Sequence, residues 1–236
     1  MAKGPILTHP VFDTWSALRR RLDDAARRAG RDAKEVSVVS VVKFAALDDV
    51  QALRSAGVCR WFAENRVQDA QKRRLGLGET SRSGWRFIGH LQTNKAKAAL
   101  ELFDWVDSLD SLDLAEAFQR RLEGTERRLG VLVQVKLTGR ETQSGLGPDE
   151  AAAFLERLKT YPNLRPAGLM GIAPMGDDPE AARPAFKRLK QLYDALYPEK
   201  AGPDGPWLSM GMSGDCEVAV EEGATLVRVG SALFKK

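Results

Sequence analysis

Lys43 is the side chain whose position is best suited to covalent chemistry. It directly follows residues 36–42 (VSVVSVV), a β-branched run with apolar residues on both faces, as in a buried parallel strand. A lysine at such a strand end would be partly desolvated, which favours its neutral amine, a nucleophile towards aldehydes. The pattern therefore indicates Schiff-base chemistry. The alternative is a lysine that extends to solvent or pairs with a carboxylate such as Glu64.

Two glycine-containing segments near the C-terminus have the composition of phosphate-binding turns. In SMGMSGD a predicted strand runs into a predicted helix, whose N-terminal amides would lie beside the Ser213 hydroxyl. In RVGS, Gly230 permits close backbone approach and Ser231 adds a hydroxyl. Arg228 lies inside the preceding apolar run and needs an acceptor if it is buried. Glycine turns are common between strands and helices, so these segments indicate a phosphate site mainly in combination with Lys43.

Four other residues are weaker candidates for ligand contacts. Asn65 and His90 follow the second and third predicted strands, where each would contact a ligand or satisfy the loop backbone. Met210 lies in SMGMSGD and is a candidate cofactor contact, although packing is the simpler interpretation. Cys216 would begin the following helix, where a thiol pKa falls, but we interpret it as a bystander.

The candidates are placed by a regular alternation of short apolar runs and helical segments. We predict strands at residues 36–42, 59–62, 85–88, 105–108, 131–137, 166–170, 207–209 and 225–229. We predict helices at residues 47–56, 67–75, 93–102, 112–122, 148–160, 179–196 and 214–222, after an amphipathic N-terminal helix at about 11–29. Eight such repeats predict an α/β fold, a closed (β/α)8 TIM barrel, with an open doubly wound sheet as the alternative. A barrel would bring the carboxyl ends of its strands, and so the candidate residues, to one mouth.

Composition limits the class of protein. The 236 residues, 43% hydrophobic and 29% charged, suit one globular domain spanning 1–236, and the irregular segments 138–147, 171–178 and 198–206 are too short for domain linkers. No apolar run approaches the roughly 18 residues of a membrane span, so we expect a cytoplasmic protein. Cys59 and Cys216 lack the spacing of a zinc site and are expected to be free thiols. The net charge of +4 is small, and its arginines lie along helical segments, which favours solvated helix faces over a nucleic-acid site.

Several motifs occur in an order that is typical of one family. They are F-x-E-N-x-x-Q, W-x-F-I-G-x-L-Q-x-N-K, F-D-W-V-x-S-L-D, P-N-L-R-x-x-G-L-M, L-S-M-G-M-S-x-D and V-R-V-G-S, all after the lysine-ended strand. Together, over residues 36–234, they resemble the pyridoxal phosphate homeostasis protein family. The resemblance implies a barrel like the N-terminal domain of alanine racemase, with pyridoxal phosphate as cofactor.

The resemblance also implies roles for particular residues. Lys43 would form the Schiff base, and Ser213, Gly230 and Ser231 would hold the phosphate. Arg228 would face the pyridine nitrogen and keep it unprotonated, which weakens the electron sink and suits cofactor carriage better than broad carbanion chemistry.

The chain departs from the usual family pattern at a few positions. Glycine and tyrosine are commoner at the positions of Ala63 and Arg66, and lysine is usual at Gln143. Serine often precedes the lysine, where this chain has Val42, and threonine is common in place of Ser231. None of these changes removes a group that the Schiff base needs, but they place in doubt any role for the loops around Arg66 and Gln143.

We therefore expect a monomeric carrier that acts in vitamin B6 and amino-acid homeostasis, without strong catalytic activity, with pyridoxal-phosphate-dependent enzymes as candidate clients. Three alternatives stay open at this point. The first is a minimal amino-acid racemase, although such enzymes use a second domain to supply a tyrosine. The second is a Schiff-base aldolase that uses Lys43 on a sugar phosphate. The third is a nucleic-acid-binding module.

Overall fold

A closed barrel of eight parallel strands forms the centre of the protein. The computed structural model describes residues 9–78, 84–139, 143–174, 176–199 and 205–234. The strands are β1 Ser37–Val41, β2 Trp61–Glu64, β3 Trp85–Phe87, β4 Trp105–Leu109, β5 Leu129–Lys136, β6 Leu164–Ile172, β7 Trp207–Ser209 and β8 Leu226–Val229. Each pairs in parallel with the next, and β8 pairs with β1. The predicted TIM barrel is confirmed, and the open doubly wound sheet is excluded.

Helices alternate with the strands on the outside of the barrel. They are α1 Val11–Arg28, α2 Leu47–Ser55, α3 Val67–Gly76, α4 Ala96–Leu102, α5 Leu112–Leu122, α6 Ala151–Leu158, α7 Arg183–Leu196, α8 Cys216–Glu221 and α9 Ser231–Phe234. The sequence did not predict α9, because four residues are too few to show a helical period. The first turns of the predicted helices at 93–102, 148–160 and 179–196 are 3-10 helices. Within the described residues, no helix is long and apolar enough to span a membrane.

Two apolar layers hold the barrel together. Inside it, side chains from alternate strand positions fill the interior, among them Trp61, Trp105 and Trp207. Outside it, a larger layer packs the sheet against the helices. α1 packs against α8 and α9, and the ion pairs Arg21–Glu217 and Arg28–Glu221 flank the contact with α8. This N-terminal helix therefore supports the elements that carry the glycine turns.

The main boundary difference lies at β5 and β6. β5 begins two residues before the prediction, and β6 extends from Leu164 to Ile172, into the segment 171–178 that was predicted as irregular. The two strands pair from Leu129 with Leu164 to Lys136 with Ile172, so each supplies the backbone partners that lengthen the other. Parts of the predicted irregular segments 138–147, 171–178 and 198–206 lie outside the described residues.

Candidate functional site

Lys43 lies at the carboxyl-terminal mouth of the barrel, two residues after β1. Its side chain is exposed, and Nζ is 5.0 Å from the centroid of the Phe44 ring, which is itself 84% exposed. The expectation that the strand end would desolvate this lysine is therefore wrong, because Val42 still bonds to β2 through Ala63 and the chain turns away from the sheet at Lys43 itself. The amine instead stands accessible to a ligand that enters the mouth.

Glu64 is not the partner of Lys43. Its carboxylate is fully buried, and its Oε1 accepts a hydrogen bond from Nε of Arg73 at 2.9 Å. Burial raises the pKa of Glu64, while Arg73 partly offsets that rise. Arg73 also donates to the carbonyl of Ala45. Glu64 and Arg73 thus connect β2, α3 and the turn after Lys43, and the lysine itself has no carboxylate partner among the described residues.

The phosphate-turn candidates meet next to the end of β1. Ser213 Oγ accepts hydrogen bonds from the backbone N–H groups of Gly230 and Ala232, both at 3.3 Å. A Cβ at Gly230 would lie 3.0 Å from the carbonyl oxygen of Val41, so glycine allows this turn to approach β1. The approach of this backbone to a phosphate stays a prediction. Ser213 therefore lies beside the amides that begin α9, whereas the sequence had placed it beside those of α8.

The turn between β7 and α8 is held by its own hydrogen bonds. Gly211 has φ of +89°, and its carbonyl accepts from the N–H of Arg228 at 3.0 Å. Asp215 precedes α8 and accepts from the N–H of Met212 through Oδ1 at 2.6 Å. Burial raises the pKa of Asp215, and the Met212 amide and the Arg228 charge partly oppose that rise. These contacts fix the position of Ser213 from the β7 side.

Cys216 is the first residue of α8, but its thiol is not activated. Burial raises its pKa to about 12, and the neighbouring Glu217 adds to the effect. The raised pKa agrees with the interpretation of Cys216 as a bystander, because desolvation of the thiolate outweighs the helix dipole. Cys59 is also buried with a raised pKa, and both cysteines are free.

Arg228 is buried in the barrel beneath the mouth, and it has the acceptors that its position required. One terminal nitrogen donates to Oγ of Ser209 at 2.7 Å, and the other donates to the carbonyl of Gly171 at 2.9 Å. Burial lowers its pKa to about 10, although the negative charges of Asp107 and Asp215 oppose that shift. The guanidinium therefore stays protonated at neutral pH.

A second buried arginine lies deeper in the barrel. Arg86 and Asp107 are both inaccessible to solvent, and Arg86 Nε donates to the two carboxylate oxygens at 3.1 and 2.9 Å. The sequence analysis missed Asp107, and it also missed Ser209 and Asp215. Ser209 and Asp215 are specified positions of a motif quoted above, whereas Asp107 occupies the variable position of F-D-W-V-x-S-L-D. Asp107 and Ser209 are polar residues in apolar strands, which was the available signal.

The weaker candidates separate into two groups. Asn65 is half-buried and His90 is exposed in neighbouring loops at the same mouth, where a Cβ at Gly89 would lie 2.1 Å from the Asn65 carbonyl. His90 Nδ1 lies 3.4 Å from Ser144 Oγ, in the loop after β5. Met210 is fully buried in the layer between sheet and helices, so its side chain packs there, in agreement with the simpler interpretation, and does not reach the mouth.

Two of the departures from the family pattern have structural roles. Ala63 is buried inside the barrel. Gln143 holds the loop after β5, because its Oε1 accepts from the N–H and hydroxyl of Thr138 at 3.1 and 2.6 Å and its Nε2 donates to the carbonyl of Ile172 at 2.8 Å. Arg66 is exposed before α3. Residues 140–142 of the Gln143 loop lie outside the described residues.

No three histidine, cysteine or acidic side chains of the described residues are arranged to hold a metal ion.

Comparison with known proteins agrees with this barrel. The family model of the alanine racemase N-terminal domain matches residues 14–236. The pyridoxal phosphate homeostasis protein of Pseudomonas aeruginosa is 38% identical over 224 residues, covering 95% of this chain and 94% of that protein. The corresponding protein of Aquifex aeolicus is 36% identical over 219 residues, covering 93% and 95%.

A solved structure of PipY from Synechococcus elongatus PCC7942, with pyridoxal phosphate bound, superposes with a TM-score of 0.78 at 33% identity, covering 95% of this chain and 99% of that one. The fold and the site thus define an alanine-racemase-type barrel with a lysine at its mouth. Within that class, the chain belongs to the pyridoxal phosphate homeostasis protein family.

Proposed function

We propose that residues 1–236 act as a single domain that binds pyridoxal phosphate reversibly as a Schiff base on Lys43. The observation that carries the proposal is the cofactor bound to PipY, which shares this fold over nearly its whole length. The site supports it, because an exposed lysine, a turn with backbone donors and a buried arginine converge at one mouth.

The turn between β8 and α9 suits the phosphate group. Among the described residues, the N–H groups of Gly230 and Ala232 bind the Ser213 hydroxyl alone, at 3.3 Å, which is long for such a hydrogen bond. A phosphate dianion is a stronger acceptor for the same amides. Ser213 would then rotate its own hydroxyl to donate, and Ser231, exposed at the start of α9, adds a second hydroxyl. Ser213, Gly230 and Ser231 are therefore the proposed phosphate residues.

Arg228 suits the opposite end of the ligand. Its two terminal nitrogens are held by Ser209 and Gly171, so the guanidinium has a fixed orientation and remains a donor at neutral pH. A protonated arginine has no lone pair to accept a proton and no tendency to give one up, so it would leave a facing pyridine nitrogen unprotonated. Asn65 and His90, in the neighbouring loops, are the proposed lateral contacts.

Bound pyridoxal phosphate would supply an aldehyde that captures amines and, with a protonated ring nitrogen, an electron sink. Arg228 opposes that protonation, which favours carriage over catalysis. The three tyrosines of the chain hydrogen bond away from the mouth: Tyr161 donates to Glu116, Tyr193 donates to the carbonyl of Pro206, and Tyr197 accepts from the N–H of Gly168. A tyrosine acid of the racemase type is therefore not available within the described residues, and we propose that the protein has no strong catalytic activity.

Reversible binding of pyridoxal phosphate suggests a cellular role for the protein. A reversible carrier would limit free aldehyde and support vitamin B6 and amino-acid balance, with pyridoxal-phosphate-dependent enzymes as its clients. Two buried free thiols suit a reducing compartment, and we propose that the protein is a cytoplasmic monomer.

The test is to add pyridoxal phosphate, record the visible band of the Schiff base, reduce with borohydride and map the modified lysine by peptide mass. We expect modification at Lys43, its loss in Lys43→Ala, and its retention in Lys187→Ala, which removes an exposed lysine on α7. Circular dichroism of each variant checks the barrel. A full band in Lys43→Ala, or an adduct spread over surface lysines, would contradict the proposal.

A further inference from the structure

A cavity of 670 Å³ opens at the amino-terminal end of the barrel, opposite the mouth that carries Lys43. It lies where β2 to β6 begin. The charged side chains among its lining residues are Arg54, Arg60, Arg128, Arg165 and Asp104. Among the described residues, the lining therefore contains four arginines and one aspartate, a more basic composition than the net charge of +4 for the whole chain suggests.

Two of these arginines are held against tryptophan rings. The guanidinium of Arg60 lies 4.5 Å from the ring centroid of Trp61, and that of Arg165 lies 4.7 Å from the ring centroid of Trp105. The buried Arg86 lies 4.9 and 4.3 Å from the same two ring centroids. Such stacking orders a guanidinium through its face, and in Arg165 it leaves the N–H edge available for hydrogen bonds.

The floor of the cavity contains an unsatisfied donor. Trp61 is 5% exposed and lines the cavity, and its buried Nε1 has no hydrogen-bond partner among the described residues. A buried indole N–H normally finds an acceptor, so its isolation is unfavourable unless a ligand supplies one. Gly130 leaves room for the ring of Trp105, because a Cβ at position 130 would lie 2.5 Å from that ring.

The arginines around the cavity differ in whether a carboxylate neutralises them. The Arg86 charge is matched by Asp107 at 2.9 Å, so this buried pair attracts no further anion. Arg128 and Arg165 are exposed at the rim, and neither has a carboxylate partner among the described residues. Their donors therefore remain available to an anionic ligand.

We propose that this amino-terminal cavity is a second ligand site, which binds a small molecule that carries two or more linked phosphate groups. Arginine forks match phosphate oxygens in bidentate geometry, and two of them at one cavity, Arg128 and Arg165, suit two linked phosphates. The volume lies in the range of small-molecule sites, so a compact anion and a nucleotide both fit. The site is independent of cofactor binding at Lys43, because it is built at the opposite ends of the strands.

The test is calorimetric titration of the full chain with inorganic pyrophosphate, with ATP and with inorganic phosphate. We expect pyrophosphate to bind more tightly than phosphate, with an affinity that falls as salt is added. The double variant Arg128→Gln/Arg165→Gln should lose roughly a hundredfold or more in affinity for pyrophosphate, since each of the two charge-assisted contacts contributes about tenfold or more. The matched control is Arg20→Gln/Arg188→Gln, which makes the same charge change at exposed residues outside the cavity.

Two further variants separate recognition from charge. Arg165→Lys keeps the charge but loses the planar fork, and Trp61→Phe keeps an aromatic ring but loses the N–H, so both should weaken binding while the Schiff-base band at Lys43 is unchanged. Equal affinity for ATP and pyrophosphate supports recognition of the phosphates alone, and tighter binding of ATP supports a nucleotide ligand. No heat with pyrophosphate at millimolar concentration, equal affinity for phosphate, or an equal loss in the control variant would overturn the proposal.

Discussion

Replacing Ser213 by alanine would separate phosphate recognition from fold stability. In the structure its Oγ accepts hydrogen bonds from the backbone N–H groups of Gly230 and Ala232, in a half-buried turn that solvent can reach. In the proposed complex the same hydroxyl and both amides would face the phosphate. The substitution therefore removes weak contacts from the free protein and a charge-assisted contact from the complex.

The two effects differ in size. A neutral hydrogen bond contributes about 0.5–1.5 kcal/mol net, and bonds of 3.3 Å fall at the weak end, so Ser213→Ala should lower the free energy of unfolding by about 1 kcal/mol or less. A hydrogen bond to a charged group contributes about 1.5–3 kcal/mol, which corresponds to a loss of about 10- to 150-fold in affinity for pyridoxal phosphate.

The assay is a spectral titration with pyridoxal phosphate and, in parallel, with pyridoxal, which has the aldehyde but no phosphate. We expect Ser213→Ala to weaken only the phosphorylated ligand, and the exposed Ser16→Ala on α1 to change neither affinity. Urea denaturation monitored by circular dichroism measures stability. An equal loss for both ligands would refute the assignment of Ser213 to the phosphate, because it would locate the effect at the aldehyde or in the fold.

Other predictions address the residues around the site. Asp107→Asn leaves the buried charge of Arg86 uncompensated and should lower the free energy of unfolding by about 3–5 kcal/mol in urea denaturation, whereas a change below about 1 kcal/mol would mean that water reaches the pair. Gly230→Ala would place a Cβ 3.0 Å from the carbonyl oxygen of Val41 and displace the turn, so it should weaken the binding of pyridoxal phosphate, as measured by spectral titration. Unchanged affinity would mean that the turn accommodates the added methyl group. Cys216, with a pKa of about 12, should resist iodoacetamide at pH 8 in native protein and react after unfolding, and its labelling should rise with pH as the thiolate forms, which mass spectrometry measures. Rapid labelling of the native thiol at pH 8 would contradict its burial.

Local patterns were enough to predict the architecture. The β-branched run before Lys43 and seven similar runs each formed a strand, because a parallel barrel buries both faces of every strand and so requires that composition. Arg228 in an apolar strand needed acceptors, and it has them in Ser209 and Gly171. A helix of only four residues, such as α9, is too short to show a helical period, and the ends of β5 and β6 depend on pairing between strands.

The environments of single side chains required the tertiary structure. Nothing in the sequence next to Cys216 distinguishes an activated thiol from one whose pKa is raised by burial, since desolvation comes from segments distant in the chain. The exposure of Lys43, the packing of Met210 and the pairing of Glu64 with Arg73 likewise depend on which direction each side chain takes.

The sequence by itself determined the barrel, the family and the segments that meet at the mouth, because these follow from periodicity and from residue types at fixed spacing. Only the tertiary structure decided which amides lie beside Ser213, and only it assembled Arg128, Arg165 and Trp61 around one cavity, since these residues come from separate strand ends. Periodicity acts within a segment, whereas the charge and solvation of a site are set by segments that the closed barrel brings together.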